Sequence, residues 1–135
     1  MEYKEYFSKI EAEYSKNTIE EETLNSIEME LNLKFGPELR EYILTYGYLA
    51  FQSVEFYGIN SIQGLDSDMV KQTIYLHKYF EKTNEYVALG NLGEGKYALV
   101  SQDDLVFEYD TERDLLIGTE KKLFEYIMNL FERRL

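Results

Sequence analysis

The stretch from Leu24 to Gly58 constrains the fold most, because within it the hydrophobic period changes from that of a helix to that of a strand. Leu24, Ile27 and Leu31 recur at helical spacing and Phe35 closes the connection. Pro37 opens a second helix, and Leu39, Tyr42, Ile43 and Tyr46 form its apolar stripe before Gly47 stops it. Proline suits the first helical position, where its missing N–H would be unpaired in any case, and this leaves Gly36 as the N-cap. From Tyr48 onward the residues turn aromatic and β-branched, with Val54, Phe56 and Gly58 alternating against Glu55 and Tyr57.

The flanking segments extend this pattern. Tyr3, Phe7, Ile10 and Tyr14 fall on one face of an N-terminal helix. Thr18 with Glu21 reads as a capping box for a helix over roughly Ile19 to Leu31, with Glu20, Glu21 and Glu22 in the first turn, where the helix dipole favours them. Ser61 to Ser67 reads as a loop, with Asp66 or Ser67 capping a fourth helix lined by Met69, Thr73, Leu76 and Phe80. Strands follow over Tyr86 to Leu89, Tyr97 to Ser101 and Leu105 to Tyr109, the last two joined by Gln102, Asp103 and Asp104. Gly118 and Thr119 begin a last helix with Leu123, Phe124, Ile127, Met128 and Phe131 on its apolar face. The expectation is one α+β domain over residues 1–135, a mainly antiparallel sheet with helices packed on one face.

This order resembles the SUKH superfamily of Smi/Knr-like proteins, in which a short helix is followed by a proline-started helix ending in tyrosine-glycine and then by an aromatic strand. The resemblance rests on Leu24, Ile27, Glu28 and Leu31, on Phe35 to Gly47, and on Phe56 to Ile59. It extends more loosely through Asp68 to Thr73, Asn91 to Tyr97 and Leu105 to Asp110, so that most of the chain is covered. One departure is that Gly36 stands between the apolar residue and Pro37, which the family places side by side. The resemblance implies a SUKH fold, no catalytic site, and a role as a bacterial immunity protein that binds and neutralises a toxin domain. The alternative it allows is a regulatory or targeting adaptor of the Smi/Knr or Syd type.

Composition narrows the remaining classes. The net charge is −12, with 11 acids against 5 bases in residues 1–52, 12 against 5 in residues 53–118 and 3 against 4 thereafter. An acidic body of this kind repels phosphate backbones and anionic membranes, which argues against nucleic acid as a direct ligand; the charge serves either solubility or steering towards a basic protein partner, and joined to the resemblance it implies a toxin that is a basic nuclease. The chain has no cysteine, so disulfides, thiolate metal sites and cysteine nucleophiles are excluded. The apolar runs are too short to span a bilayer, and the first residues are acidic where a signal peptide is basic, so a cytoplasmic protein is expected.

No motif predicts an enzyme. Gly90 to Lys96 matches a phosphate-binding loop through its lysine, but Tyr97 replaces the magnesium-binding hydroxyl and a strand follows where a helix is required, so it reads as a glycine-rich β-turn. His77, the only histidine, sits at the edge of the fourth helix's apolar stripe and reads as structural. The pairs Asp66 and Asp68, Asp103 and Asp104, and Glu108 and Asp110 lack the spacing of a calcium loop and read as caps and turns, so neither metal nor cofactor is expected. The 13 tyrosines and 8 phenylalanines exceed what one core needs. Tyrosines framed by acids suit a protein-binding face, for which Tyr46, Tyr48, Glu55, Tyr57, Asp103, Asp104, Glu108 and Asp110 are the candidates.

Overall fold

The computed structural model describes residues 3–9, 13–16, 19–52, 54–59 and 68–133. In chain order these form helix α1 (Tyr3–Lys9), strand β1 (Glu13–Lys16), helices α2 (Glu21–Leu31) and α3 (Pro37–Thr45), strands β2 (Tyr46–Phe51) and β3 (Val54–Phe56), and helix α4 (Met69–Tyr79). A 3₁₀ turn at Glu81–Thr83 leads to strands β4 (Val87–Gly93), β5 (Lys96–Val100), β6 (Leu105–Asp110) and β7 (Leu115–Lys122), and helix α5 (Leu123–Glu132) closes the chain. The strands pair in sequence order into one seven-stranded sheet, every neighbour antiparallel. The α+β class and the antiparallel sheet are as expected.

Several local expectations change. Tyr14 lies on β1 opposite Leu49 of β2, so the N-terminal helix ends before it; Ile10 lies outside the described residues. Helix α2 starts at Glu21 with Glu20 as N-cap, and Thr18 lies outside the described residues. Gly47 does not stop α3; the chain passes straight into β2 at Tyr46, whose extended backbone (φ −117°, ψ 129°) ends the helix. The cap of α4 is Asp68, whose carboxylate accepts from the Lys71 N–H at 2.9 Å, while Asp66 and Ser67 lie outside the described residues. Residues 115–122 form β7 where a helix start was expected, and α5 begins only at Leu123.

The glycine-rich segment is the turn the sequence predicts. Glu94 (φ 54°) and Gly95 (φ 77°) join β4 to β5, the pair of positive φ angles that suits a two-residue hairpin turn to the twist of its strands. His77 is likewise structural, its Nε2–H donating to the Tyr86 carbonyl at 2.8 Å.

Cross-strand partners share a face, so Phe56, Gly90, Ala98, Glu108 and Ile117 form one row across the sheet. Helix α5 lies over that row. Its Tyr126 and Phe131 rings meet Phe56 edge-on, at 6.4 and 5.7 Å between centroids, and Phe131 also meets Phe7 and Phe51. Helix α4 covers the opposite face, where Thr73 Oγ1 accepts from the Ala88 N–H at 2.9 Å and Phe80, just past the helix, meets Tyr109. Val87–Gly90 and Ala98–Val100 are therefore buried in unbroken runs, a fuller cover at the centre of the sheet than helices on one face provide. Tyr42 is buried in full because its hydroxyl donates to the Tyr57 carbonyl at 2.8 Å, and burial pushes its pKa well above the ordinary tyrosine value.

Carboxylates from distant elements satisfy helix ends that lack caps of their own. Neither Gly36 before α3 nor Lys122 before α5 supplies a side-chain cap. Asp104, buried in the β5–β6 turn, accepts from the Glu38 and Leu39 N–H groups, each at 3.0 Å. Glu38 in turn accepts from the Phe124 N–H in the first turn of α5 at 3.0 Å, and Glu28 of α2 accepts from the Phe35 N–H at 2.7 Å and from Arg40 of α3 at 3.0 Å. Gly36 owes its identity to the first of these contacts, since a Cβ there would lie 2.3 Å from Asp104 Oδ1. At the far end of β6, Tyr109 donates to Asp114 across the β6–β7 turn.

Two outcomes follow from these contacts. Asp104→Ala should cost about 1–3 kcal/mol for two orphaned buried N–H groups, and Gly36→Ala a similar amount, about 1–3 kcal/mol, for overpacking. In the Asp104→Ala background Gly36→Ala should cost almost nothing more, because the crowding oxygen is gone; urea unfolding of the double-mutant cycle checks this, and additive losses would contradict it. The second outcome concerns pH. The Tyr109 hydroxyl above all, with Lys82 adding to it, holds Asp114 below the ordinary carboxylate range against the opposing effect of burial, so its contribution is complete above about pH 4 and is lost as pH falls through the folded value. Burial first and the bond to Asp114 next push Tyr109 up to about 12, so the same pair also weakens as pH rises from about 10. Asp114→Asn should therefore lose less stability than the parent between about pH 5 and about pH 2; equal losses would contradict the assignment.

Candidate partner-binding surface

The eight residues read from the sequence as a contact face do not assemble into one patch. Tyr46, Tyr57 and Asp104 are buried, which removes them from any surface. Tyr46 packs its ring against Phe7 and Tyr42, Tyr57 binds β4 through its backbone N–H to the Leu89 carbonyl, and Asp104 is the cap of α3. Tyrosine and aspartate looked like surface residues there because both are polar at one end; the Asp104 carboxylate is satisfied by N–H groups far away in sequence. Tyr48 on β2 and Glu55 on β3 are half-buried at the other end of the sheet.

The three remaining acids lie on β6 and the turn before it. Glu108 and Asp110 share one face of β6, beside Ile117 and Leu115 of β7 respectively. Glu108 accepts from the Tyr126 hydroxyl of α5 at 2.6 Å, which fixes its carboxylate at the rim of the sheet. Asp110 accepts from the Glu112 and Arg113 N–H groups and pairs with the Arg113 guanidinium at 2.9 Å. Partial burial pushes the Asp110 carboxyl up, but these N–H groups and the guanidinium outweigh it and hold the group below the ordinary range. Asp103 is exposed at the β5–β6 turn. It lines a cleft of about 800 Å³ with Glu28, Met29, Glu85, Tyr86 and Ser101. The turn therefore divides its two aspartates, one turned inward as a cap and one outward to solvent.

Sequence reasoning missed the apolar side chains that accompany these acids. Leu115 and Ile117 on β7 are 46% and 54% exposed, next to Asp110 and Glu108. They were hidden by reading Gly118 and Thr119 as a helix start; the signal was the apolar run Leu115-Leu116-Ile117 directly after a polar turn. On α4, Ile74, Tyr75 and Tyr79 are also exposed, with Tyr75 against Tyr79 and the Lys78 ammonium 5.3 Å from the Tyr79 ring centroid. Among the described residues no group of three or more His, Cys, Asp or Glu is placed to hold a metal ion, and no helix is long and apolar enough to cross a membrane. The arrangement offers acids at fixed positions beside solvent-facing apolar side chains, which suits binding to another protein.

Comparison with known proteins agrees with this architecture. A solved protein from Pseudomonas syringae pv. tomato superposes with a TM-score of 0.66 at 18% identity, the match covering 89% of each chain, which shows a shared fold. No curated protein matches by sequence at a significant level. The sequence profile of the SUKH_5 family, described as SMI1-KNR4 cell-wall, matches residues 2–132. The chain therefore belongs to the SUKH superfamily of Smi/Knr-like proteins, as a member of that family.

Proposed function

We propose that this protein is a cytoplasmic immunity protein that binds a cognate bacterial toxin domain and neutralises it by stoichiometric occlusion, with no catalysis of its own. The observation that carries the reading is family membership over residues 2–132 in a chain of net charge −12. Part of that charge is structural, since Glu28, Glu38, Asp68 and Asp104 serve helices. The excess that faces solvent includes Glu20, Glu21 and Glu22 at the start of α2, Glu85 and Asp103 at the cleft, and Glu112 at the β6–β7 turn. Acids spread in this way favour a basic partner, and the toxin that best fits is a nuclease whose substrate-binding face already attracts phosphate. The same charge disfavours nucleic acid as a direct ligand of this chain.

A second reading is favoured by the family's own description, which names the cell wall. In it the protein is a non-enzymatic regulatory or targeting adaptor, and the acidic surface recruits a partner that carries no toxicity.

Co-expression with the C-terminal domain of the protein encoded immediately upstream separates the two. Host survival together with a one-to-one complex is the expected result; a harmless neighbour that still forms the complex favours the adaptor, and a toxic neighbour without rescue contradicts the immunity role. Charge steering predicts that the association rate constant falls by about tenfold or more between about 50 mM and about 500 mM salt. A flat response would remove the steering while leaving the antidote role to the survival assay.

A further inference from the structure

We propose that the outer edge of β7 is a docking site for an extended segment of a partner protein that presents apolar side chains to the face toward α5 and carries lysine or arginine on that same face at the end beside the β6–β7 turn. Strand β7 ends the sheet among the described residues, so alternate N–H and C=O groups along it face away from β6. Soluble proteins guard such an edge, and β7 is guarded over only half its length. Its second half carries Glu120, Lys121 and Lys122, with Glu120 in a left-handed conformation (φ 63°) where the register with β6 shifts. The first half, Leu115 to Gly118, has no charge and no bulge, and it exposes Leu115 and Ile117. An unguarded apolar edge is the template for strand addition, in which main-chain hydrogen bonds supply affinity and alternate side chains supply specificity.

The surroundings select the occupant. On the face toward α5, a strand added beside β7 places alternate side chains next to Ile117, over a cleft of about 420 Å³ lined by Ile117, Thr119, Lys121, Tyr126, Asn129 and Arg133. The cleft accepts the apolar positions. Residues 108–120 carry five acids and one base, with Glu108 and Asp110 on this same face and Glu112 at the tip of the turn. Basic side chains of the incoming segment therefore belong at the turn end of β7, away from Lys121 and Lys122. A second copy of this acidic chain is disfavoured as occupant by its own charge. The inference rests on the reading of the protein as a partner-binding module and names the surface that does the binding.

The test does not need the natural partner. An eight-residue peptide, valine-threonine-valine-threonine-lysine-threonine-lysine-threonine, has its valines and lysines on one face and, laid antiparallel to the eight residues of β7, its lysines at the turn end; it is titrated into the isotope-labelled full chain and followed by amide chemical shifts. Shifts concentrated in Leu115 to Thr119 are expected, together with binding about tenfold or more weaker in Ile117→Lys and unchanged in the control Tyr79→Ser. The same peptide with glutamate in place of lysine should not bind. Equal binding by a lysine peptide of the same charge interrupted by proline, shifts centred on the α2 cleft or on α4, or no binding would overturn the proposal. A dispersed Ile117→Lys spectrum establishes that the variant is folded, and Leu115→Lys repeats the test should it not be. A co-expression rescue whose complex leaves β7 amides unprotected from exchange would overturn this inference alone and leave the immunity role standing.

Discussion

The contact on which the arrangement of helices depends is the buried carboxylate of Asp104 at the start of α3. The first N–H groups of a helix have no partner within it, and α3 begins with glycine and proline, neither of which offers a side-chain acceptor. Asp104 supplies both oxygens from a turn between two strands, held there in a left-handed conformation (φ 65°) that aspartate tolerates better than most residues. Because the acceptor belongs to the sheet and the donors to the helix, the bond fixes the position of α3 as well as its end. Glu38, on that same first turn, then reaches the Phe124 N–H, so α5 is located by way of α3. The aromatic contacts of Phe131 and Tyr126 with Phe56 supply the apolar contact area beneath α5, and the carboxylates set where that helix begins.

This use of carboxylates changes how the acidity is read. Acids that end helices are committed to the fold, and their partners are backbone N–H groups of this chain. What remains for a partner is the charge left facing solvent. At the β5–β6 turn adjacent aspartates fall into the two classes, with Asp104 inward and Asp103 outward. Along β6 the division is less sharp, since Glu108 holds a structural bond through one carboxylate oxygen and Asp110 through both, while they stand at the rim beside exposed Ile117 and Leu115. A carboxylate pinned in this manner loses little side-chain freedom on meeting a cation, which favours binding there over a freely rotating glutamate.

Local chemistry was legible wherever local chemistry decided the structure. The Gly36-Pro37 helix start, the stripe of Met69, Thr73 and Leu76 on α4, and the Glu94-Gly95 turn are each set within a few residues, and each reads correctly. The misses share a cause, namely a contact far away in sequence. Tyr14 continues the helical spacing of Tyr3 and Phe7 but pairs with β2, and the Gly118-Thr119 dipeptide resembles a helix boundary but lies in a strand held by β6. Asp104 and the Leu39 and Glu38 N–H groups that donate to it are 65 and 66 residues apart, a separation no window reveals. Tyr46 and Tyr57 were misplaced at the surface for the same reason, since burial of a tyrosine depends on what its neighbours bring to it. The departure at Gly36 from the family's pattern is the one place where the sequence hinted at this contact, since only a residue without a Cβ fits against the aspartate.

Native-state hydrogen exchange at the Glu38 and Leu39 amides tests the central claim most directly. If Asp104 ties α3 to the sheet, these two first-turn N–H groups exchange as slowly as those of β4 and β5, opening only with global unfolding. Exchange at the rate of a frayed helix end, with β4 and β5 still protected, would show that α3 is positioned without the aspartate and would contradict the account.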